Sequence, residues 1–198
     1  MIGVMGGTFD PIHNGHLRLA EHIMEEFSLQ KILFIPAGEP PHKKEFGVLE
    51  AVHRMEMTRL AIEDNANFQL IDFEVRQKGY SYTVETLDYL MKHGYPALAL
   101  ILGADSMVQM KKWHEPGKIL SKARIIVAPR KEISPAKLEK EIHYMKNIYI
   151  CQIDVSQAFV LPFSSTDVRI RIANHQSVRY MIPDSVRQYI SEHHLYEK

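Results

Sequence analysis

The chain has 198 residues, of which 45% are hydrophobic and 24% are charged. This length is typical of one domain, here with a small C-terminal helical portion at about 164–198, and it allows a sizeable core. Its 24 Lys and Arg residues balance its 24 Asp and Glu residues. The absence of a net charge argues against a dedicated nucleic-acid-binding protein, whereas a small anionic ligand needs only a local positive patch.

Cysteine content and hydropathy exclude other classes. The single cysteine, Cys151, cannot form an internal disulfide or supply a multi-cysteine zinc site. The N-terminus lacks a basic leader followed by a long apolar run, and the longest apolar run, 97–102, is too short to cross a bilayer. We therefore expect no membrane partner and a reducing, cytoplasmic location.

Short apolar runs alternate with longer segments of helical periodicity. The predicted strands are 1–5, 31–37, 68–75, 97–105, 124–130 and 148–154. The predicted helices are 17–27, 51–64, 83–93, 135–145, 164–175 and 184–195, with a further helical stretch after 97–105. Strand and helix alternate about five times, which predicts an α/β fold with a Rossmann-like, doubly wound parallel sheet covered on both faces.

The first motif, GGTFDPIHNGHL at 6–17, follows the first predicted strand. Gly6 and Gly7 have no Cβ, so the backbone can turn tightly and approach a ligand closely. Thr8 adds a hydroxyl group. A Gly-Gly turn alone is common, and only the complete strand–loop–helix pattern predicts an anion site.

Two histidines stand at the predicted helix start that follows this loop. Asn14 is the expected N-cap, and the free N–H groups behind it favour an anion. His13 and His16 are three residues apart, so both rings can point the same way. Surface histidines are the plain alternative. A metal site is not expected, since only Asp10 lies nearby as a further ligand.

The second motif, PFSSTDVRIRI at 162–172, places hydroxyl residues at another predicted helix start. If Ser165 or Thr166 begins the helix, Arg169 follows about one turn later and its guanidinium could bind phosphate oxygens. Taken alone, the pattern equally describes a simple helix cap with an exposed arginine.

Together the two motifs resemble the signatures of the nucleotidyltransferase superfamily, H-x-G-H and S-S-T-x-x-R. The resemblance implies a nucleotidyltransferase-type fold, in which the tetrad imidazoles stabilise the α-phosphate of a nucleoside triphosphate. The second signature would hold the β- and γ-phosphates. The residues concerned are His13, His16, Ser164, Ser165, Thr166 and Arg169.

Nearly the whole chain, residues 1–195, is similar to the bacterial nicotinate mononucleotide adenylyltransferases. The similar stretches are PPHK at 40–43, SYTVETL at 81–87, LGADS at 102–106 followed by Trp113, and 182–196. The similarity implies transfer of the adenylyl group of ATP to nicotinate mononucleotide, a reaction of NAD biosynthesis that yields nicotinate adenine dinucleotide and pyrophosphate.

The same resemblance assigns residues to the two substrates. The catalytic donors would be His13, His16, Lys43 and Arg169. The ATP site would comprise Gly6, Gly7, Thr8, Phe9, His13, His16, Gly103, Asp105, Arg130, Ser164, Ser165, Thr166 and Arg169. The nicotinate mononucleotide site would comprise His42, Lys43, Thr83 and Trp113, with Thr83 near the carboxylate and Trp113 stacked on the pyridine ring.

Mg²⁺ is the expected cofactor, bridging the ATP phosphates with few protein ligands. A homo-oligomer is left open.

The nearest alternative is another adenylyl- or cytidylyltransferase of the superfamily, such as phosphopantetheine adenylyltransferase, although the length, SYT and Trp113 argue against that enzyme. A non-catalytic nucleotide sensor would retain the glycines but could lose the histidines. A synthetase-like RNA enzyme would need a basic face.

Overall fold

The computed structural model describes residues 1–38, 47–77, 79–159 and 161–197. These residues form a six-stranded sheet in the order β3-β2-β1-β4-β5-β6, and every neighbouring pair is parallel. The strands are β1 Ile2–Gly7, β2 Lys31–Pro36, β3 Phe68–Leu70, β4 Leu98–Gly103, β5 Ala123–Ala128 and β6 Ile153–Val155. The predicted Rossmann-like parallel α/β fold is confirmed.

Helices follow the strands along the chain. They are α1 Asn14–Glu26, α2 Ala51–Ile62, α3 Phe73–Arg76, α4 Thr83–Lys92, α5 Ala104–Gln109, α6 Pro116–Lys122, α7 Pro135–Ile148, α8 Ser165–Ala173 and α9 Asp184–Glu192. The strand order reverses between β1 and β4, which are neighbours although two strands separate them in sequence. In open parallel sheets, the crevice at the carboxyl ends of such a strand pair is the usual ligand site.

The side chains of successive residues in the central strands are buried on opposite faces of the sheet. Val4 and Leu100 join an apolar cluster with α4, α5, α6 and α7, whereas Met5 and Ile101 join a cluster with α1, α2, α8 and α9. This alternation is the period-two geometry of a strand. It explains why these strands are apolar throughout, since both of their faces are covered.

The predicted strands 97–105 and 124–130 run two residues past the ends of β4 and β5, and the two predicted edge strands are wrong by more. The predicted strand 68–75 ends at Leu70, because β3 pairs with only three residues of β2 and the chain then turns into α3. There the ring of Phe73 stacks on Tyr89 of α4 with centroids 4.1 Å apart. The predicted strand 148–154 shrinks to β6, because α7 continues to its last residue, Ile148. Both strands lie at sheet edges, where packing decides between similar local preferences.

Among the residues that the structure describes, no helix combines the length and apolar character needed to cross a bilayer.

Candidate active site

Helix α1 begins with a cap built from the two histidines of the first motif. His13 is the N-cap residue, and its Nδ1 accepts a hydrogen bond from the backbone N–H of His16 at 3.3 Å. In return, Nδ1 of His16 accepts one from the backbone N–H of His13 at 3.2 Å. The prediction that Asn14 caps the helix is wrong. Asn14 is the first helical residue, and its side-chain amide donates to the backbone carbonyl of Tyr180 at 2.7 Å.

These reciprocal hydrogen bonds fix the protons of both rings. An imidazole nitrogen that accepts a hydrogen bond carries no proton, so in each neutral ring the proton lies on Nε2. The two rings stack with centroids 3.7 Å apart. Burial, reinforced by the positive charge of Arg130, lowers the pKa of His13 from 6.5 to about 4. Near pH 7, His13 is therefore a neutral hydrogen-bond donor through Nε2 rather than a cation.

The glycine inside the tetrad is dictated by the packing of this cap. A Cβ on Gly15 would lie 2.8 Å from Nδ1 and 2.9 Å from Cε1 of His13. A side chain at this position would displace the ring that caps the helix. Sequence reasoning did not include Gly15 among the site residues, although the spacing H-x-G-H contained the signal.

Residues 6–9 lead from the last two residues of β1 towards the cap. Gly6 is exposed, while Gly7 and Thr8 are half-buried. Phe9 adopts a φ of 47°, and its ring is buried edge-on against His16 with centroids 5.2 Å apart. The buried ring of Phe9 therefore supports the second histidine of the tetrad. Among these four predicted ATP ligands, Phe9 could contact ATP only through its backbone.

Helix α8 begins with a second reciprocal cap. The backbone N–H of Ser164 donates to Asp167 Oδ2 at 2.7 Å, and Ser164 Oγ accepts from the Asp167 N–H at 3.2 Å. The helix starts at Ser165, one of the two starts considered from the sequence. One turn on, Nη2 of Arg169 donates to Thr166 Oγ1 at 3.3 Å.

The fold joins the two motifs directly. Ser165 Oγ donates to the carbonyl of Pro11 at 2.8 Å. Nη1 of Arg169 donates to the carbonyl of Asp10 at 2.6 Å. Both acceptors belong to the loop that ends at His13. Residues about 150 positions apart in sequence are thus joined beside the carboxyl end of β1, where two helix starts and a guanidinium offer donors suited to an anion.

Three further predicted ATP residues lie beside this crevice. Gly103 ends β4 and is the N-cap residue of α5, and Asp105 stands in the first turn of α5. Nε of Arg130, just after β5, is 3.7 Å from Asp105 Oδ1. The charge of Arg130 also acts on His13. The ends of β4 and β5 are therefore electrostatically coupled to the tetrad.

A cavity of about 220 Å³ lies next to residues 6–9, the segment at the end of β1 that we call the glycine loop. Its lining includes Gly6 and Gly7, Thr83, which is the first residue of α4, and the half-buried Trp113. Both described residues of the predicted pyridine nucleotide site thus open into the same space as the predicted ATP loop. The other two predicted residues of that site, His42 and Lys43, lie outside the described residues.

Sequence reasoning missed one acidic residue of this cavity, Glu74. Oγ1 of Thr86 in α4 donates to Glu74 Oε1 at 2.7 Å, and burial raises the pKa of the Glu74 carboxyl. Thr86 also lines the cavity. The sequence carried no signal for Glu74, because it fell within the predicted strand 68–75, whereas it belongs to α3.

A buried arginine orders the loops around the crevice. The side chain of Arg54 in α2 is 1% exposed, and its donors meet backbone carbonyls of Leu49, Thr8 and Gly38 at 2.9, 2.7 and 2.8 Å. It therefore ties the loop after β1 to the loop after β2. An arginine within a helical pattern gave no indication of this role in the sequence.

Within the described ranges, no group of three or more His, Cys, Asp or Glu side chains is arranged to hold a metal ion.

The chain matches known proteins over its whole length. The cytidylyltransferase-like family model matches residues 4–171. A protein of Desulfitobacterium hafniense named probable nicotinate-nucleotide adenylyltransferase is 41% identical over 98% of this chain and 95% of its own length. A protein of Clostridium botulinum with the same name is 39% identical over 99% and 98%, respectively.

Solved structures of other proteins have a fold similar to that of this chain. The Plasmodium falciparum nicotinic acid mononucleotide adenylyltransferase complexed with NaAD has a TM-score of 0.77 at 18% identity, covering 98% of this chain and 96% of the other. The same enzyme complexed with APC has a TM-score of 0.76 at 19% identity over the same shares of both chains. The chain therefore belongs to the cytidylyltransferase-like family and, within it, to the nicotinate-nucleotide adenylyltransferases.

Proposed function

We propose that this enzyme transfers the adenylyl group of ATP to nicotinate mononucleotide, giving nicotinate adenine dinucleotide and pyrophosphate, a step of NAD biosynthesis. One observation carries the proposal beyond family membership. The cavity lined by Thr83 and Trp113 is also lined by Gly6 and Gly7, which lie in the segment that leads to the histidine cap. We therefore expect an acceptor bound there to lie beside the α-phosphate of ATP bound at the tetrad.

The triphosphate lies between the starts of α1 and α8. Helix starts favour anions through their free N–H groups and dipoles. Arg169, oriented by Asp10 and Thr166, adds a guanidinium on the α8 side. The adenosine lies towards Gly103 and Asp105 at the end of β4, beside Arg130.

In the reaction, a 5′-phosphate oxygen of the mononucleotide attacks the α-phosphorus of ATP. A new P–O bond forms while the bond between the α-phosphorus and the oxygen leading to the β-phosphate breaks, and pyrophosphate leaves. The attacking phosphate is already ionised, so no protein base is needed. Catalysis then consists of positioning and of stabilising charge on the phosphoryl oxygens. His13 and His16 contribute as donors whose tautomers the helix cap sets.

The pyridine ring stacks on Trp113, and its carboxylate meets the N–H groups at the start of α4, where Thr83 stands. Lys43 and His42 are proposed to contact the phosphates. Mg²⁺ is proposed to enter as the magnesium complex of ATP, because Mg²⁺ keeps several of its waters and is usually bound through substrate phosphates and few protein ligands. Cytoplasmic location stays a prediction from the sequence, and the sequence leaves a homo-oligomer open.

The test is a set of initial rates of pyrophosphate release with ATP and three acceptors. We expect nicotinate mononucleotide to react fastest, and phosphopantetheine not to react. Comparable rates with nicotinamide mononucleotide would contradict the acid specificity, and a preference for phosphopantetheine would contradict the function.

A variant locates the acceptor site in the same assay. Trp113→Ala should raise KM for nicotinate mononucleotide by about 10-fold, the loss of one stacking contact, with KM for ATP unchanged. An unchanged KM for nicotinate mononucleotide would contradict the proposed role of Trp113.

A further inference from the structure

We infer that Tyr196, which follows α9, is a positioning residue for the triphosphate site: its hydroxyl holds the carboxylate of Asp10 and so keeps Arg169 available to ATP. This inference rests on the proposed role of Arg169. Tyr196 lies outside both motifs and does not line the cavity beside the glycine loop.

The hydrogen bonds form a chain from the end of the protein to the first motif. The Tyr196 hydroxyl donates to Asp10 Oδ1 at 2.7 Å. The other carboxylate oxygen, Oδ2, is 3.7 Å from Nη1 of Arg169, and that same Nη1 donates to the Asp10 carbonyl at 2.6 Å. Asp10 is only 4% exposed, so little water reaches its carboxylate.

The orientation of the Asp10 carboxylate matters because two positively charged side chains lie near it. Two guanidinium groups, Arg54 and Arg169, act on the Asp10–Tyr196 pair. Arg54 is committed to three backbone carbonyls, whereas the Arg169 side chain is about one-third exposed (32%). Burial and the neighbouring Asp10 raise the pKa of Tyr196, so its hydroxyl stays a neutral donor.

Without the tyrosine hydroxyl, Asp10 Oδ1 would lose its donor. A small rotation would then let both carboxylate oxygens pair with Arg169, since one already lies 3.7 Å away. Bidentate arginine–carboxylate pairs are among the strongest charge-assisted contacts. Such a pair would compete with ATP phosphates for the same guanidinium. Tyr196 thus suppresses an internal competitor of the substrate.

The variant Tyr196→Phe removes only the hydroxyl and keeps the ring that packs against the core. We expect KM for ATP to rise about 5- to 10-fold, the scale of one ordinary hydrogen bond, because the Asp10 pair would only partly compete with ATP for Arg169. We expect kcat and KM for nicotinate mononucleotide to change less than about 2-fold. The matched control is Tyr180→Phe, because the Tyr180 side chain is exposed and should leave all constants unchanged.

Rescue separates this role from a structural one. Asparagine at position 10 cannot form a charged pair, so Asp10→Asn combined with Tyr196→Phe should return KM for ATP to within about 2-fold of wild type. A double variant no better than Tyr196→Phe would overturn the inference. If Tyr196→Phe does not fold, Asp10→Asn alone decides. We expect KM for ATP at or below the wild-type value, and a marked increase would overturn the inference.

One further variant separates this inference from the proposed function. Arg169→Ala should raise KM for ATP by more than about 10-fold, since it removes the guanidinium itself. An unchanged KM would overturn the triphosphate role of Arg169 and the inference with it. A raised KM in Arg169→Ala together with an unchanged KM in Tyr196→Phe would overturn the inference alone.

Discussion

Helices α1 and α8 both start at the strand-end crevice with a reciprocal cap, but they use different chemistry. The α1 cap consists of His13 and His16, with no acidic residue in the first turn. The α8 cap consists of Ser164 and Asp167, and Asp167 places a negative charge in the first turn. An acidic first turn stabilises a helix but weakens its attraction for an anion. At α8, the positive charge comes instead from Arg169.

The two helix starts show two ways of combining folding with binding. At α1, the groups that cap the helix are also the groups proposed to contact the phosphates, so folding and catalysis share the same side chains. At α8, capping belongs to Ser164 and Asp167, while Arg169 is held by a separate pair of contacts to Asp10 and Thr166. Variants should therefore separate stability from activity at α8 and should not separate them at α1.

The largest effect is expected for His16→Ala. It removes a phosphate donor, which typically costs about 100- to 1,000-fold in kcat. It also removes half of the α1 cap, which costs about 1 kcal/mol in the free energy of unfolding. Initial rates and denaturant unfolding measure the two losses. Ser134→Ala is the control, because Ser134 Oγ caps α7 by accepting from the N–H of Lys137. It should lose stability but not turnover, and near-wild-type turnover of His16→Ala would contradict the assignment.

The next effect is the pH dependence of stability caused by His13. Its pKa is lowered from 6.5 to about 4 in the folded protein. Between these values the unfolded chain binds more protons, so acid favours unfolding. His13 should cost on the order of 3 kcal/mol as the pH falls from 6.5 to 4, and nothing above 6.5. His13→Asn, measured by denaturant unfolding across this range, should lose that slope. An unchanged slope would contradict the buried, neutral imidazole.

A smaller effect is expected for Arg169→Lys. Lysine keeps the charge but cannot maintain the contacts to both Asp10 and Thr166 while binding phosphate. We expect kcat/KM for ATP to fall about 10- to 100-fold, with the unfolding free energy nearly unchanged. Arg171→Lys is the control on the same helix, since Arg171 contacts the carbonyl of Ser177. Equal losses in both variants would show that the effect is not specific to position 169.

The smallest effect is expected for Asp167→Asn. Hydrogen bonds from Ser164 lower the pKa of Asp167, so the carboxylate stabilises the folded state at neutral pH, and this contribution is lost as the pH falls through the lowered value. We expect a loss of about 0.5–1 kcal/mol at pH 7 that vanishes in acid, measured by unfolding at both pH values. A large loss of turnover would contradict the separation of capping from binding at α8.

Much of this architecture could be predicted from the sequence, because strong periodicity marks buried elements. The central strands, the long helices and the helix starts at both motifs were predictable from apolar spacing and from the positions of glycine, histidine and serine. The edge strands were not. Strand β3 pairs through only three residues, and the packing of Phe73 on Tyr89 makes the chain continue as a helix rather than as a longer strand.

In the candidate site, the sequence indicates local motifs but not the contacts between residues that are distant along the chain. The histidine cap at α1 escaped prediction because imidazole rarely serves as a cap, and Asn14 was the better local candidate. Arg54, Glu74 and Tyr196 carry no motif. Their roles arise only when the fold brings carbonyls, a threonine hydroxyl and Asp10 within reach.

The most direct test of the proposed active site is a crystal structure with a non-hydrolysable ATP analogue and nicotinate mononucleotide. We predict that the imidazoles of His13 and His16 and the guanidinium of Arg169 contact one triphosphate, with the pyridine ring on Trp113. A triphosphate bound away from either helix start, leaving the histidines and Arg169 without a shared ligand, would contradict the proposed mechanism.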